Sequence, residues 1–313
     1  MQHRKLGNSD LNVSLLGLGG NNFATRLDLE ATRKVVDAAI GLGVTLIDTA
    51  DIYGNFGDSE DYLGQVLGAQ RNKVVLATKF GMAMNKEGTL KGASPAYIRS
   101  SVEGSLRRLR TDWIDLYQLH QDDPDTPLED TMRTLDDLVK EGKVRYIGCS
   151  NLAPARIRQA QAIAAQSGMA RFISAQDEYS LLVRGVEKEL MPTLADQGMG
   201  LIPFSPLAGG LLTGKYVQGA PMPAGARLTT TKRFADKYMT DANWPRVEKL
   251  RSFAEQRGRT LLDLALGWLA SNRNVSSVIA GASTPEQLEQ NLKAVDWRLS
   301  AAEMAEIDRL LQA

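Results

Sequence analysis

Short apolar runs alternate with amphipathic segments along this chain. The runs are "SLLGLG" (14–19), "VTLID" (44–48), "VVLATK" (74–79), "WIDLYQLH" (113–120), "VRYIGCSN" (144–151), "RFISAQ" (171–176), "GLIPFSP" (200–206) and "VSSVIAGAS" (275–283). They are apolar, partly β-branched and too short for helices, so they predict strands. The segments between them carry helical periodicity. In "LEDTMRTLDDLVKEG" the apolar Met132, Leu135 and Val139 recur at a helical spacing. Asp28 precedes one helix as a cap, and Ser94 followed by Pro95 opens another with a cap and a proline at the first helical position.

Eight strand–helix units without a change of composition predict one α/β domain over 1–313. Parallel strands need helical crossovers, and the simplest closure is a (β/α)8 TIM barrel, typically about 250 residues or more. A doubly wound sheet is the rival. Its dinucleotide-binding form wants G-x-G-x-x-G after the first strand, where this chain reads "GLGGNNF". The segment before the first barrel strand predicts a hairpin covering the barrel bottom, and two further helices are expected near the C-terminus, 285–292 and 301–311. The stretch 207–242, rich in Gly, Pro and Thr, is read as a long loop.

Composition narrows the function classes. Lys plus Arg and Asp plus Glu each number 37, giving a formal net charge of zero. Such a balance offers no broad attraction to nucleic acid or anionic membrane. The single cysteine, Cys149, forms no internal disulfide and reads as strand packing. No run reaches the roughly 18 apolar residues of a membrane helix. The start lacks the apolar core of a secretory signal, so a cytoplasmic setting is expected. With two histidines, no H-E-x-x-H and no cysteine cluster, no metal site is predicted.

In a barrel of this kind the C-terminal strand ends share one face, and active sites lie there. Asp48 ends strand two with Tyr53 just beyond it, Lys79 ends strand three and His120 ends strand four. Ser150 and Asn151 end strand five, Gln176 strand six and Ser205 strand seven. Each admits a plain structural role: Asp48 as a cap, Tyr53 as a rim aromatic, His120 as a packed imidazole. Together they make chemical sense. A lysine cation favours a nearby phenolate and lowers the tyrosine pKa, an aspartate holds the ammonium, and a histidine orients a carbonyl oxygen or helps pass the proton. That is an acid for a developing alkoxide. Side chains do not donate hydride, so a nicotinamide cofactor is implied.

"GVTLIDTADIYG", "ATK", "LYQLH", "VRYIGCSN", "FSPLAGGLLTGKY" and "GASTPEQLEQN", in that order, resemble the aldo-keto reductase family over essentially the whole chain. The resemblance implies a catalytic tetrad at Asp48, Tyr53, Lys79 and His120, with reversible reduction of an aldehyde or ketone. It implies that Ser150, Asn151 and Gln176 hold the nicotinamide carboxamide and that Phe204 stacks on the ring. Ser205, Leu207, Gly209 and Lys215 would follow the pyrophosphate. Many family members place a lysine and an arginine around the adenosine 2′-phosphate, where this chain has Gly281 and Gln287. The "GAS…Q…N" form, ending in Asn291, instead resembles the branch of bacterial general reductases and potassium-channel beta subunits. Arg227, Ser283 and Gln287 are then the expected contacts, and NADPH is expected over NADH. Substrate choice is assigned to loops 80–93, 121–127 and 207–242. The expected partner is a small carbonyl or alcohol substrate. An alternative implied by the same branch is a nicotinamide-binding accessory subunit with slow turnover. A barrel hydrolase or lyase is a third reading.

Overall fold

The computed structural model describes residues 1–312. Among these residues the strands are β1 His3–Lys5, β2 Asn12–Ser14, β3 Leu16–Gly19, β4 Leu46–Asp48, β5 Val75–Phe80, β6 Ile114–Leu119, β7 Val144–Ser150, β8 Phe172–Gln176, β9 Gly200–Leu201 and β10 Val278–Ala280. β3 to β10 form one parallel sheet in the order β10-β3-β4-β5-β6-β7-β8-β9. The sheet closes on itself. Leu201 N–H donates to Asn274 O at 2.9 Å, Ser276 N–H to Leu201 O at 2.9 Å, and Ile279 N–H to Pro203 O at 3.0 Å. This is the (β/α)8 barrel that the alternation of runs predicts.

Seven helices act as crossovers: Leu29–Gly41, Asp58–Leu67, Pro95–Leu109, Leu128–Lys140, Pro154–Ser167, Leu190–Gln197 and Leu261–Ser271. The expected caps form. Asp28 accepts from Ala31 N–H, and Ser94 accepts from Tyr97 N–H with Pro95 in the first turn. The helices Pro285–Ala294 and Ala301–Gln312 follow β10, as expected.

Two expectations need correction. The run 200–206 keeps only Gly200–Leu201 as a strand. Pro203 has no N–H for a ladder, and Phe204 rejoins the sheet through a single bridge to Glu178. The segment 207–242 is also not a plain loop. It contains a short 3-10 helix, Ala208–Thr213, and the helices Arg227–Thr230 and Lys232–Tyr238. These are too short to leave a periodic signature in sequence.

Strand side chains alternate between the barrel interior and the outer helices. The lower interior layer is apolar: Leu46, Ala77, Leu116, Ile202 and Ile279. The antiparallel hairpin of β1 and β2 closes it from below, pairing His3 with Ser14, Arg4 with Val13 and Lys5 with Asn12. Leu6 and Val13 pack into that layer. The Arg4 guanidinium donates to the carbonyls of Ala270 at 2.6 Å, Asn272 at 3.0 Å and Val275 at 2.6 Å. The hairpin is therefore a stopper, and only the other end of the barrel is open.

Candidate active site

Two residues further along the same strands, the interior turns polar. Leu46 is followed on its face by Asp48, Ala77 by Lys79, Leu116 by Gln118, and Ser174 by Gln176. All four polar residues are buried. Lys79 Nζ donates to Asp48 Oδ2 at 2.7 Å and to Thr49 O at 2.7 Å, and lies 3.5 Å from the Tyr53 hydroxyl. The other Asp48 oxygen accepts from Gln176 Nε2 at 2.8 Å and Gln118 Nε2 at 3.2 Å. A buried ion pair is tolerated when its remaining lone pairs are satisfied. Here two amides complete the carboxylate.

Tyr53 comes from the loop after β4. Gly54 adopts φ 79°, and a Cβ there would meet Asp58 Cβ and Ser59 N at 2.9 Å. The chain can therefore turn sharply beside Tyr53 only with glycine. The Lys79 ammonium lies 4.9 Å from the Tyr53 ring centroid. The His120 ring stands edge-on to the phenol, with centroids 5.8 Å apart.

Burial pushes the Tyr53 pKa up, Lys79 opposes that, and Asp48 adds to it, with a net rise. The lysine acts in the expected direction, but desolvation outweighs it. Burial disfavours charge on Lys79 as well, yet Asp48 and Tyr53 overcome it and hold the ammonium protonated. Burial, aided by Lys79, lowers the His120 pKa to about 3. The imidazole is neutral near pH 7, and its Nδ1 is buried without a partner.

Asp48, Tyr53 and His120 lie on the wall of a cleft of about 890 Å³. The same cleft is lined by Ser150, Asn151, Gln176, Phe204, Ser205, Leu207, Gly209, Lys215, Arg227, Gly281, Ser283, Gln287 and Asn291. Of the residues singled out in sequence, only Lys79 is not on the wall. It is fully buried beneath it. Ser150 Oγ donates to Gln176 O at 2.7 Å, and Asn151 Nδ2 donates to Ser150 Oγ at 2.9 Å and His120 O at 3.1 Å. Gln287 Oε1 accepts from Ser283 N–H at 2.8 Å, and Thr284 caps the helix that follows.

Sequence reasoning missed Gln118 and Arg26. Gln118 sits two residues before His120, on the same strand face, which is the signal that could have found it. Arg26 lies in the loop after β3 and donates to Gly225 O at 2.5 Å. From the other side Arg227 donates to the side-chain oxygens of Asn21 and Asn22. The two arginines bridge the first loop and the 207–242 segment across the cleft. Burial first, then Arg26, lowers the Arg227 pKa; burial, Arg26 and Arg227 lower that of Lys215. Three cations converge there, and among the described residues the only carboxylate on the cleft wall is Asp48, already paired with Lys79. That donor set suits a multiply charged phosphate ligand.

A closed parallel barrel whose open end gathers a Tyr–Lys–Asp–His group beside a long cationic cleft defines a barrel oxidoreductase class. The family model described as "Aldo/keto reductase family" matches residues 15–312, and this chain belongs to that family. It is 37% identical over 306 residues to a probable voltage-gated potassium channel subunit beta of Oryza sativa subsp. japonica, covering 95% of this chain and 92% of the relative. It is 35% identical over 319 residues to the L-glyceraldehyde 3-phosphate reductase of Escherichia coli (strain K12), covering 99% and 92%. It is 36% identical over 309 residues to the uncharacterized oxidoreductase YrpG of Bacillus subtilis (strain 168), covering 96% and 92%. Membership supports an NAD(P)H-dependent oxidoreductase activity in general. Among the described residues no helix is long and apolar enough to cross a membrane, and no cluster of potential metal ligands occurs.

Proposed function

We propose that this protein reduces an aldehyde or ketone to the alcohol, reversibly, with NADPH. The observation that carries the reading is the Lys79 ammonium held between Asp48 Oδ2 and the Tyr53 hydroxyl beneath the wall of a cation-lined cleft. Ser150, Asn151, Gln176 and Phe204 would hold the nicotinamide end. Ser205, Leu207, Gly209 and Lys215 would hold the pyrophosphate. Arg227, Ser283, Gln287, Asn291 and the backbone at Gly281 would hold the adenosine end. A reduced nicotinamide bound there supplies the hydride.

The remaining chemistry belongs to the chain. Tyr53 donates its phenolic proton to the alkoxide oxygen as charge develops. Lys79 stabilises the phenolate left behind, and Asp48 with its two amide donors keeps the ammonium aimed. His120 is neutral, so it orients the carbonyl oxygen as a hydrogen-bond donor without a competing charge. The reverse direction, alcohol oxidation, uses the same groups with the proton moving back to Tyr53.

The test is turnover of an aldehyde and ketone panel with NADPH, followed by loss of the reduced cofactor's absorbance. The panel includes a phosphorylated aldehyde, the substrate class named for the Escherichia coli relative. Absence of both cofactor binding and turnover would overturn the reading. Similarity to the potassium channel beta subunits favours a second reading, an accessory subunit that binds the cofactor and turns over slowly. Recovery of a stable partner together with negligible turnover would favour that role. Rapid turnover by the isolated chain would reject it.

A further inference from the structure

Behind the Tyr53 loop, outside the barrel wall, two carboxylates are fully buried: Asp51 and Glu60. Thr78 precedes Lys79 on β5, so its side chain leaves the strand on the outer face. There it donates to Glu60 Oε1 at 2.5 Å. Arg108 places its guanidinium fork on Glu60 Oε2, with Nε at 2.8 Å and Nη2 at 2.7 Å. The helices carrying Glu60 and Arg108 meet closely because Gly64 has no side chain; a Cβ there would lie 2.2 Å from Arg108 O.

Asp51 has far less. Its Oδ2 accepts from Ser101 Oγ at 3.2 Å, and its Oδ1 is buried with no partner. The one cation between the two acids is on Glu60. An ionised carboxylate left dry and unpaired is costly, and a second anion nearby adds to the cost. A bound proton removes both penalties. The groups around Asp51 are Glu60 and Arg108, Ser101 and Tyr97 on the helix Pro95–Leu109, Tyr117 on β6, and Tyr53 in its own loop. Lys79 and Asp48 face the barrel interior. Burial and then Glu60 raise the Asp51 pKa to about 8, with Ser101, Arg108 and the Ile52 N–H opposing.

The loop ties this carboxyl to the acid. Asp51 N–H donates to Lys79 O at 3.1 Å, Tyr53 N–H to Ala50 O at 3.1 Å, and Lys79 Nζ to Thr49 O at 2.7 Å. Negative charge at Asp51 makes the Tyr53 phenol a weaker acid. We propose that Asp51 is held as a neutral carboxylic acid and acts as a positioning residue that keeps Tyr53 able to donate its proton. Ionisation of Asp51 places a second anion behind the phenol and slows reduction. The inference rests on the reading of Tyr53 as the acid.

The test has one arm without substrate and one with it. In the first, melting temperatures of wild type and D51N are compared from pH 4 to 9. The folded state holds a proton on Asp51 that the unfolded chain releases above about 4, so folding stability falls as pH rises through that window. Wild type should lose stability relative to D51N between pH 4 and about 8 and run parallel to it above. A gap that does not change with pH overturns the proposal. In the second arm, single-turnover reduction at saturating reduced cofactor should decline several-fold through a step near pH 8 in wild type. D51N should lack the step, and D51N retaining it overturns the link to Tyr53. E60Q removes the competing anion and releases Arg108 toward Asp51, so the step should move to lower pH. An unmoved step counts against the proposal, and this variant carries the test if D51N does not fold. Failure of the Tyr53 reading looks different: Y53F would keep the wild-type chemical rate whatever Asp51 does.

Discussion

Two buried ion pairs sit near opposite ends of the barrel. At the closed end Arg71 Nη2 meets Asp115 Oδ2 at 2.8 Å. Asp115 also accepts from Arg145 Nη1 at 2.9 Å, Trp113 Nε1 at 3.2 Å and Leu76 N–H at 3.0 Å. Arg71 and Arg145 both lie over the Trp113 ring, 4.6 and 4.7 Å from its centroid. At the open end Lys79 meets Asp48 at 2.7 Å, and this carboxylate is completed by two neutral amides where Asp115 takes a second cation. The pairs differ in their third neighbour. Beyond Asp115, Arg71 donates to the Thr111 hydroxyl and to the carbonyls of Val74 and Trp113, and lies over the Trp113 ring. Lys79 has the Tyr53 hydroxyl at 3.5 Å, a group that can give up a proton into a cleft. Burial and pairing are common to both, so neither is a mark of chemistry. The mark is a titratable neighbour with access to a ligand.

Substitutions can break this contrast. Y53F removes only a hydroxyl. Single-turnover reduction should fall by about 10²–10⁴, the usual contribution of a general acid. Cofactor affinity should stay near wild type, and an undiminished chemical rate would end the comparison. D115N at the closed end should do the reverse. Breaking one partner of a buried pair typically costs about 3–5 kcal/mol. Denaturant unfolding should show that loss while kcat per folded molecule is unchanged. A smaller contrast lies within the cleft. R227A should weaken NADPH about tenfold or more and NADH less, since a charge-assisted contact contributes about 1.5–3 kcal/mol. Equal losses for both cofactors, by titration, would place Arg227 at the pyrophosphate or in the loop bridge to Asn21 and Asn22. The smallest expected effect is on pH dependence. The His120 pKa is lowered to about 3, first by burial and then by Lys79, so its protonated form is disfavoured in the fold. The kcat/KM profile should show no limb near pH 6.5, and a limb there abolished by H120Q would contradict a neutral imidazole.

What the sequence made legible follows from the cost of polar groups in apolar runs. Lys79 closes "VVLAT" and His120 closes "WIDLYQL", where neither packs at ease, so both stood out. Asp48 followed from the same reasoning, and the barrel made these distant residues neighbours. Gln118 was hidden because it lies inside a run, and its partner Asp48 is 70 residues away. Arg26 was hidden because its role depends on where Gly225 sits, 199 residues later. The extent of strand seven was overstated because hydrophobicity does not report a missing N–H at Pro203. The sign of the lysine's effect on Tyr53 was legible. The net shift was not, because it depends on how deeply the phenol is packed.

The hairpin stopper also has a bearing on biosynthesis. Arg4 reaches carbonyls 266 to 271 residues further along, and Ser276 Oγ donates to Lys5 O across a separation of 271. At a synthesis rate of about 5–20 residues per second, these partners emerge on the order of tens of seconds after the first residues. Through that interval Leu6 and Val13 lack the closed floor they pack against, because Ile202 and Ile279 are among its last parts to be made. Contacts of such long range close slowly. Until Ile202 and Ile279 are made, the apolar face of the hairpin, Leu6 and Val13, therefore stays unseated.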